Sequence, residues 1–304
     1  PVEMQRKLGR FPLFEFWGPR AGIGSTSWIV DSAISVIDEQ DPDVLLVYLP
    51  HLDYDDQRHG ADSPQARRSR QQLDQELERL LQSARGRGAD VMLLSEYGVE
   101  DVSRPLFPNR MLAERGELKV HATSHGDLLD LHRSHAFAVC DHQLAHVHLG
   151  SGDDIDRVMA LFQQFEGVDQ VLAAGDRGQF GLDHRRAGDL VLLAEPGCWF
   201  AYPWWLDEAR APDFARTVDI HRKPGYDPAE LFLDPALRWP ALKVGFRLLQ
   251  KKVGMRTLLD VISTDPSMVR GSHGRPPSDA DRGPVVIRSW KHSASAIEAV
   301  DVHD

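Results

Sequence analysis

Oxygen and nitrogen donors cluster where an apolar run of this sequence ends. Residues 45–49 are largely apolar, and the polar stretch that follows contains Asp53, Asp55 and His59. A carboxylate at the end of a buried strand is where open α/β sheets place chemistry, so Asp53 is the first candidate metal ligand. Asp55 and His59 are four residues apart and offer a second ligand register. A turn or helix-capping role for Asp53 is the alternative interpretation.

The polar segment at Asp53 is the first of three such segments, which are called stations, and the other two lie downstream along the chain. Glu96 and Tyr97 follow an apolar run at residues 91–94, one predicted βαβ step after the first station. Parallel strands joined in this way end at the same edge of a sheet, so the side chains are expected to meet there. His273 lies between glycines, which allow a backbone to approach an ion or a phosphate closely; a structural histidine is the alternative. The three stations together predict one site for metal and phosphate.

Other polar motifs have simpler explanations beside the functional one. His221, Arg222 and Lys223 form a basic run that could bind an anionic group, although a solvated basic turn gives the same sequence. Two motifs have metal-like spacing that strand alternation also produces: Asp141-His142 and His146-Val147-His148.

Composition bounds the class of protein. The chain has 304 residues, 42% of them hydrophobic, which is enough for a sizeable core. A net charge of -11 argues against a nucleic-acid binder, because phosphate backbones require clustered Lys and Arg. Cys140 and Cys198 do not make a disulfide framework, and no apolar run is long enough to cross a bilayer. Signatures of a serine-hydrolase elbow, a P-loop and a dinucleotide-binding loop are missing from the sequence.

Hydrophobic periodicity and turn residues predict an α/β fold. Helices are predicted at 25–40, 63–86, from Asp153 to 165, and at 242–259. Strands are predicted at 45–49, 91–94, 135–140, 146–149, 170–173, 189–194 and 284–287. Residues 197–240 lack periodicity and are interpreted as a small irregular insertion. The predicted organisation is one domain over 1–288 and a polar tail over 289–304.

The order and sequence of the three stations resemble the metal-binding motifs of the alkaline phosphatase superfamily, in its nucleotide pyrophosphatase/phosphodiesterase branch. The residues that carry the resemblance are Pro42-Asp43-Val44-Leu45-Leu46-Val47-Tyr48 into Asp53, Leu94-Ser95-Glu96-Tyr97-Gly98 and Gly271-Ser272-His273-Gly274. It implies a mostly parallel sheet with helices on both faces. It also implies an earlier part of the fold, with a Thr or Ser nucleophile upstream of Pro1, so no catalytic residue is assigned here. A chain starting at Pro1 is therefore expected not to turn over alone, and any export signal would lie upstream, which leaves localisation open.

The resemblance further implies a two-metal phosphotransfer site. Asp53, Gln57 and His273 occupy the positions of the first ion, with Gln57 where the family has a histidine. Glu96 and Tyr97 stand where the family has an Asp-His pair at the second ion. Replacing two imidazoles by a carboxamide and a phenol favours Mg²⁺, Mn²⁺ or Ca²⁺ over Zn²⁺, or leaves one of the two positions empty.

These observations lead to a metal-dependent hydrolase of phosphodiester or phosphate-ester bonds. The expected partner is a small phosphate-ester substrate, with His221, Arg222 and Lys223 as substrate-binding candidates. A more specific resemblance, to bacterial members encoded in small biosynthetic gene clusters, rests on the motifs around residues 52–58, 141–143 and 221–227. The rival hypotheses are a non-catalytic binding or biosynthetic accessory protein that kept the fold, and a transferase or isomerase-like phosphate enzyme on the same scaffold. The oligomeric state is left open.

Overall fold

The computed structural model describes residues 2–150, 152, 154–277, 279–291 and 302. The α-helices of this part are α1 Val2–Leu8, α2 Ile23–Gln40, α3 His51–His59, α4 Pro64–Gly86, α5 Pro108–Glu114, α6 Ile155–Gln163 and α7 Pro240–Lys252. The strands are β1 Met92–Leu94, β2 Glu100–Asp101, β3 Arg104–Leu106, β4 Val120–Thr123, β5 Gly126–Leu129, β6 Ala136–Asp141, β7 Leu144–Leu149, β8 Val168–Leu172, β9 Leu190–Ala194, β10 Cys198–Phe200, β11 Gly271–Ser272 and β12 Val286–Arg288.

Capping residues explain where the two long N-terminal helices begin. The Ser63 hydroxyl accepts a hydrogen bond from the Ala66 amide, and Pro64 takes the first helical position, as the sequence predicts for α4. Helix α2 begins at Ile23 after Gly22, two residues before its predicted start, and the Ser25 hydroxyl donates to the Gly22 carbonyl. Helix α4 packs against α2 and α3.

The largest sheet of the described residues has the order β6-β7-β9-β8 and is antiparallel throughout. Its inner face and helices α5 and α6 enclose the main core, with Val147, Phe162 and Leu192 fully buried. The α/β class is confirmed, but the expected mostly parallel sheet is met between named strands only at β3–β10 within the described part. The predicted strand segments at 135–140, 146–149, 170–173 and 189–194 all lie in or overlap this antiparallel sheet.

The apolar run 45–49 does not form the predicted buried strand. It carries no strand assignment, and Leu46 is 92% exposed. A strand exists only when its backbone groups have a partner, and no described segment pairs with this one. The predicted βαβ unit therefore reduces to α4 and β1, and β1 pairs antiparallel with β12.

Residues 197–240 have short 3-10 turns and bury large aromatic side chains. Trp204 and Trp205 are fully buried against Tyr202 in the main core. The preceding strand β10 pairs with β3, so this part of the chain supplies core packing and does not lie apart from it.

The remaining differences concern element ends. Asp153 lies outside the described residues, as does most of the tail 289–304; Asp154 caps α6 by accepting from the Asp156 and Arg157 amides. Helix α7 ends at Lys252 and does not extend to residue 259. No helix in the described ranges has the length and apolar composition needed to cross a membrane.

Candidate functional site

Asp53 and Gln57 lie on α3, not in a loop after a strand. Asp53 is in the first turn of this helix, and Gln57 follows one turn later. Residues four apart project from the same helical face, so the register inferred from the sequence is retained although the predicted element was wrong. Gln57 is fully buried.

Tyr97, in the second station, contacts both Asp53 in the first and His273 in the third. Its hydroxyl donates to the Asp53 carboxylate, 3.1 Å from Oδ1 and 3.0 Å from Oδ2. Its ring stacks on the His273 imidazole with centroids 3.5 Å apart and planes 5° from parallel. Glu96 is exposed, but its negative charge is close enough to contribute to the raised pKa of Asp53. Tyr97 therefore lies between Asp53 and His273 and contacts both, whereas Glu96, its neighbour in the predicted site, points to solvent.

The stack continues through two residues that the sequence analysis did not assign to the site. The His142 ring lies 3.8 Å from that of His273, and Tyr226 lies 4.4 Å beyond His142. His142 Nδ1 is 3.1 Å from the Ser272 hydroxyl, which fixes the ring. The Asp141-His142 motif was the available signal for His142. Its role comes from the turn between β6 and β7, where His142 has a left-handed φ of 58°.

Backbone contacts hold His273 against α3 and the β6–β7 turn. The Arg270 amide donates to the Gln57 carbonyl at 2.8 Å, and the Gln143 amide donates to the His273 carbonyl at 2.7 Å. Between them, Gly271 lies so close to α3 that a Cβ would be 2.2 Å from the Asp56 carbonyl oxygen. The glycine before His273 thus serves a close backbone approach to the helix, not to a ligand.

A second glycine positions Tyr226. Gly225 has a φ of +110°, and a Cβ there would lie 1.8 Å from the Cys140 carbonyl oxygen. The two residues form a parallel bridge, and the Tyr226 amide donates to Cys140 O at 2.8 Å. This contact brings the Tyr226 ring beside His142.

Burial sets the protonation states of the cluster. Desolvation, with a smaller contribution from Glu96, raises the pKa of Asp53 to about 6, although the Tyr97 hydrogen bond opposes the rise. Desolvation lowers the pKa of His273 to about 4, so its imidazole is neutral near pH 7. Desolvation and the Asp53 charge raise the pKa of Tyr97, which therefore remains a phenol and a hydrogen-bond donor.

The Gln57 carboxamide is a buried polar group without a regular partner. It lies beside the Tyr226 hydroxyl, yet neither of its polar atoms makes a hydrogen bond of good geometry to any described residue. An unsatisfied buried amide costs free energy. The Gln57 carboxamide thus has unused hydrogen-bonding capacity on the face of α3 that also carries Asp53.

The alternative register at Asp55 and His59 is used differently. Asp55 accepts from the Ser69 hydroxyl at 2.7 Å and pairs with Arg58 at 3.3 Å, while His59 is exposed. Asp56 pairs with Arg70 at 3.1 Å. These carboxylates are engaged in holding α3 in place, which favours Asp53 as the residue open to a ligand.

The other histidine motif also has structural partners. His146 Nδ1 accepts from the Gly188 amide at 3.1 Å, and His148 stacks on Phe137 at 5.3 Å. Both lie on β7, where alternation alone accounts for their spacing. Within the described ranges, no three His, Cys, Asp or Glu side chains are grouped so that they could hold an ion.

The basic run divides into buried and exposed members. Lys223 has no exposed side-chain area, and its ammonium contacts Asp227 and Glu230, each at 2.7 Å, and the Thr217 carbonyl at 3.1 Å. Its three donors are thus matched by three protein acceptors, so the expected substrate contact does not fit this residue. His221 and Arg222 are exposed.

Comparison with known proteins identifies the following similarities. The family profile described as Type I phosphodiesterase / nucleotide pyrophosphatase matches residues 5–227. Phosphonoacetate hydrolase from Sinorhizobium meliloti 1021 is 18% identical, with a TM-score of 0.43, over 61% of this chain and 44% of that chain. Murine ectonucleotide pyrophosphatase / phosphodiesterase 5 is 16% identical, with a TM-score of 0.43, over 60% of this chain and 45% of that one. No curated protein sequence matches.

The coverage of these matches is partial. The aligned part spans less than half the length of each of the two solved structures. His273 lies beyond the matched range 5–227, so its connection to the site depends on its contacts with Tyr97 and His142.

Proposed function

Because this chain belongs to the Type I phosphodiesterase / nucleotide pyrophosphatase family, we propose that it supplies the cation- and phosphate-binding part of an enzyme that hydrolyses phosphodiester or phosphate-ester bonds. The observation that carries the proposal is the convergence of Asp53, Tyr97 and His273, which are far apart in sequence. Such a gathering of a carboxylate, a phenol and a neutral imidazole has no evident role in core packing.

The donor set fits one divalent cation and does not fit two. Asp53 and Glu96 bring negative charge without a described cationic side chain bound to either. The Gln57 carboxamide lacks a regular partner, and His273 is neutral, so both can donate a lone pair. Tyr97 binds a metal well only as phenolate, and its raised pKa opposes that state. We therefore assign the single cation to Asp53, Gln57 and His273, with Glu96 at the rim.

An oxygen-rich set with one imidazole suits Mn²⁺ or Mg²⁺ better than Zn²⁺. When bound, the cation would stabilise negative charge that develops on phosphoryl oxygens. With a cation on the Asp53 carboxylate, the Tyr97 hydroxyl, kept protonated by its raised pKa, would leave that carboxylate and donate its one hydrogen bond to an anionic oxygen beside it. The His142 ring, held by Ser272, keeps His273 in its orientation.

Two exposed residues remain candidates for contact with the substrate. His221 and Arg222 precede Tyr226 in the chain by five and four residues, and the Tyr226 ring belongs to the stack. A guanidinium at that edge could make paired hydrogen bonds to a phosphate. Arg222 pairs at 3.2 Å with the Asp219 carboxylate, which a phosphate would have to displace.

The test is chelator-sensitive hydrolysis by the full protein. Purified protein is assayed with bis(para-nitrophenyl) phosphate in Mn²⁺ or Mg²⁺, then after EDTA treatment, and its metal content is measured. Turnover that EDTA abolishes, and that Asp53→Asn also abolishes while Asp55→Asn retains, supports the proposal. Absence of both bound metal and chelator-sensitive turnover would overturn it.

The rival to this proposal is a phosphate-binding protein without hydrolytic activity. The Tyr97 hydroxyl contacts both oxygens of Asp53, which are the atoms that a cation would need. In that case, a phosphate ester would bind equally well with and without EDTA. Calorimetric titration with a non-hydrolysable nucleotide analogue in EDTA distinguishes the two candidates.

A further inference from the structure

Helix α7 lies in a segment of the chain whose two ends are joined by backbone contacts. Leu233 and Ile262 form an antiparallel bridge, and the Asp234 amide donates to the Val261 carbonyl at 2.9 Å. Residues 235–260 form the excursion between these contacts. No residue of α7 itself is buried, and the whole helix lies in the described part of the chain.

One face of α7 is apolar and faces solvent. Leu242, Phe246, Leu249 and Val253 are spaced by four, three and four residues, which puts them on one side of a helix. Their exposed fractions run from 58% to 69%, and Trp239, one turn earlier, is 71% exposed. A contiguous exposed apolar face of this kind marks an interaction surface.

An adjoining side of α7 contacts the rest of this excursion. Lys243 contacts the Asp260 carboxylate at 2.9 Å, and Arg247 makes a two-pronged contact with the same group at 2.9 and 3.0 Å. Both side chains are partly buried. These ion pairs fix which side of the helix faces the protein, and they leave the apolar face outward.

The charge of this segment is opposite to that of the whole chain. No acidic residue lies between Asp234 and Asp260, whereas the chain as a whole has a net charge of -11. The basic residues of the segment are Arg238, Lys243, Arg247, Lys251, Lys252 and Arg256. Among the described contacts, Lys251 and Lys252 have no acidic partner. A strongly acidic protein thus presents its exposed apolar helix within a cationic patch.

We propose that α7 binds the surface of a membrane that contains anionic lipids, with its apolar face inserted among the headgroups. A helix with Trp, Phe and Leu on one side and Lys and Arg on the flanks is the type that lies in this interface. Lys252, which flanks the apolar face, then contacts lipid phosphates, and Trp239 lies at headgroup depth. A second copy of the chain is a poorer occupant, because it would bring two cationic helices together.

Flotation with lipid vesicles tests this proposal. The protein is mixed with phosphatidylcholine vesicles, or with vesicles in which part of the lipid is phosphatidylglycerol, at low and high salt. We expect binding to the anionic vesicles only, and weaker binding at high salt because the charges are screened. Lys252→Gln should weaken binding by about fivefold, at about 1 kcal/mol for a charge near an anionic surface, whereas Lys251→Gln, on the side of α7 away from the apolar face, should weaken it less.

A variant with two substitutions tests the apolar face. Phe246→Ser with Leu249→Ser should weaken binding at least about tenfold, because it removes most of the inserted apolar area. Leu13→Ser with Phe14→Ser is the matched control, since these side chains are 64% and 66% exposed elsewhere. Arg67→Gln with Arg68→Gln, an exposed basic pair on α4, is the control for charge.

Three results would overturn the proposal. The first is that the protein does not float with anionic vesicles. The second is that the control substitutions, at residues 13–14 and 67–68, weaken vesicle binding as much as the substitutions on α7 do. The third is a dimer, seen by sedimentation without lipid, that Phe246→Ser dissociates while vesicle binding is absent, which would assign α7 to a second copy. Circular dichroism of each variant shows whether it is folded, and brominated lipid that quenches Trp239 would give a measurement independent of the substitutions on α7.

Discussion

Replacing Asp53 by Asn should stabilise the metal-free protein at neutral pH. The Asp53 carboxylate is desolvated, and its main hydrogen-bond donor, Tyr97, is neutral. Ionised Asp53 therefore carries a penalty in the folded state that an amide of the same shape does not. Asn can still accept the Tyr97 hydrogen bond through its carbonyl oxygen.

The magnitude follows from the shifted pKa of Asp53. Folding raises it from 3.8 to about 6, so between these pH values the folded state binds more protons than the unfolded state. The free energy of unfolding then falls as pH rises through this window, by about 3 kcal/mol in total at 1.36 kcal/mol per pH unit. The effect of Asp53→Asn should thus grow from near zero at pH 4 to about 3 kcal/mol of added stability at pH 7.

His273 makes the comparison with the wild type necessary. Its pKa is lowered from 6.5 to about 4, so its contribution to stability is lost as pH falls from 6.5 towards 4. This slope opposes that of Asp53 and flattens the wild-type profile. Because His273 is present in both proteins, its contribution cancels in the difference between their free energies of unfolding. That difference therefore reports the contribution of Asp53.

Urea unfolding in EDTA at several pH values between 4 and 8 measures this difference. Asp55→Asn is the matched control, since Asp55 lies on the same helix but is paired with Arg58 and Ser69. That variant should lose stability at pH 7. A difference for Asp53→Asn that does not change with pH, or a loss of stability at pH 7, would refute the description of Asp53 as an uncompensated carboxylate.

Three further substitutions test the surroundings of the site. Tyr97→Phe removes the hydrogen bond that the Asp53 carboxylate accepts, and a hydrogen bond to a charged group is worth about 1.5–3 kcal/mol. The variant should therefore raise the pKa of Asp53 by roughly one to two pH units, measured in a carbon-13 NMR titration. Lys223→Met leaves two buried carboxylates without their cation and should cost about 3–5 kcal/mol in urea unfolding, whereas the exposed Arg222→Met should cost under about 0.5 kcal/mol. Gly225→Ala meets a carbonyl oxygen of β6 at a positive φ and should cost at least about 2 kcal/mol, while Gly178→Ala, with open space around it, should cost under about 1 kcal/mol.

The spacing of residues was a better guide to the candidate site than the predicted type of secondary structure. Asp53 and Gln57 were selected at a separation of four, and that separation has meaning on a helix although the sequence analysis placed Asp53 at the end of a strand. The sequence analysis expected Asp53, Glu96 and His273 to meet at the shared edge of parallel strands; in the structure Tyr97, the neighbour of Glu96, makes the contacts with the other two, and no parallel pair among the described strands supports them.

The errors arose where tertiary partners decide the outcome. Residues 45–49 have the composition of a buried strand, but a strand needs a backbone partner, and none exists among the described segments. His142 enters the site through a left-handed turn whose position depends on contacts of Gln143 with His273 and Cys198. Lys223 looked like a free cation because its acceptors at residues 227 and 230 become close only in the folded chain.

Anomalous diffraction from crystals soaked in Mn²⁺ tests the central claim most directly. We predict one manganese peak per chain, in contact with the Asp53 carboxylate and the His273 imidazole, and no peak at that position in Asp53→Asn crystals. A peak elsewhere, or none while Asp53 keeps its contact with Tyr97 at saturating Mn²⁺, would contradict the assignment of these residues to a cation site.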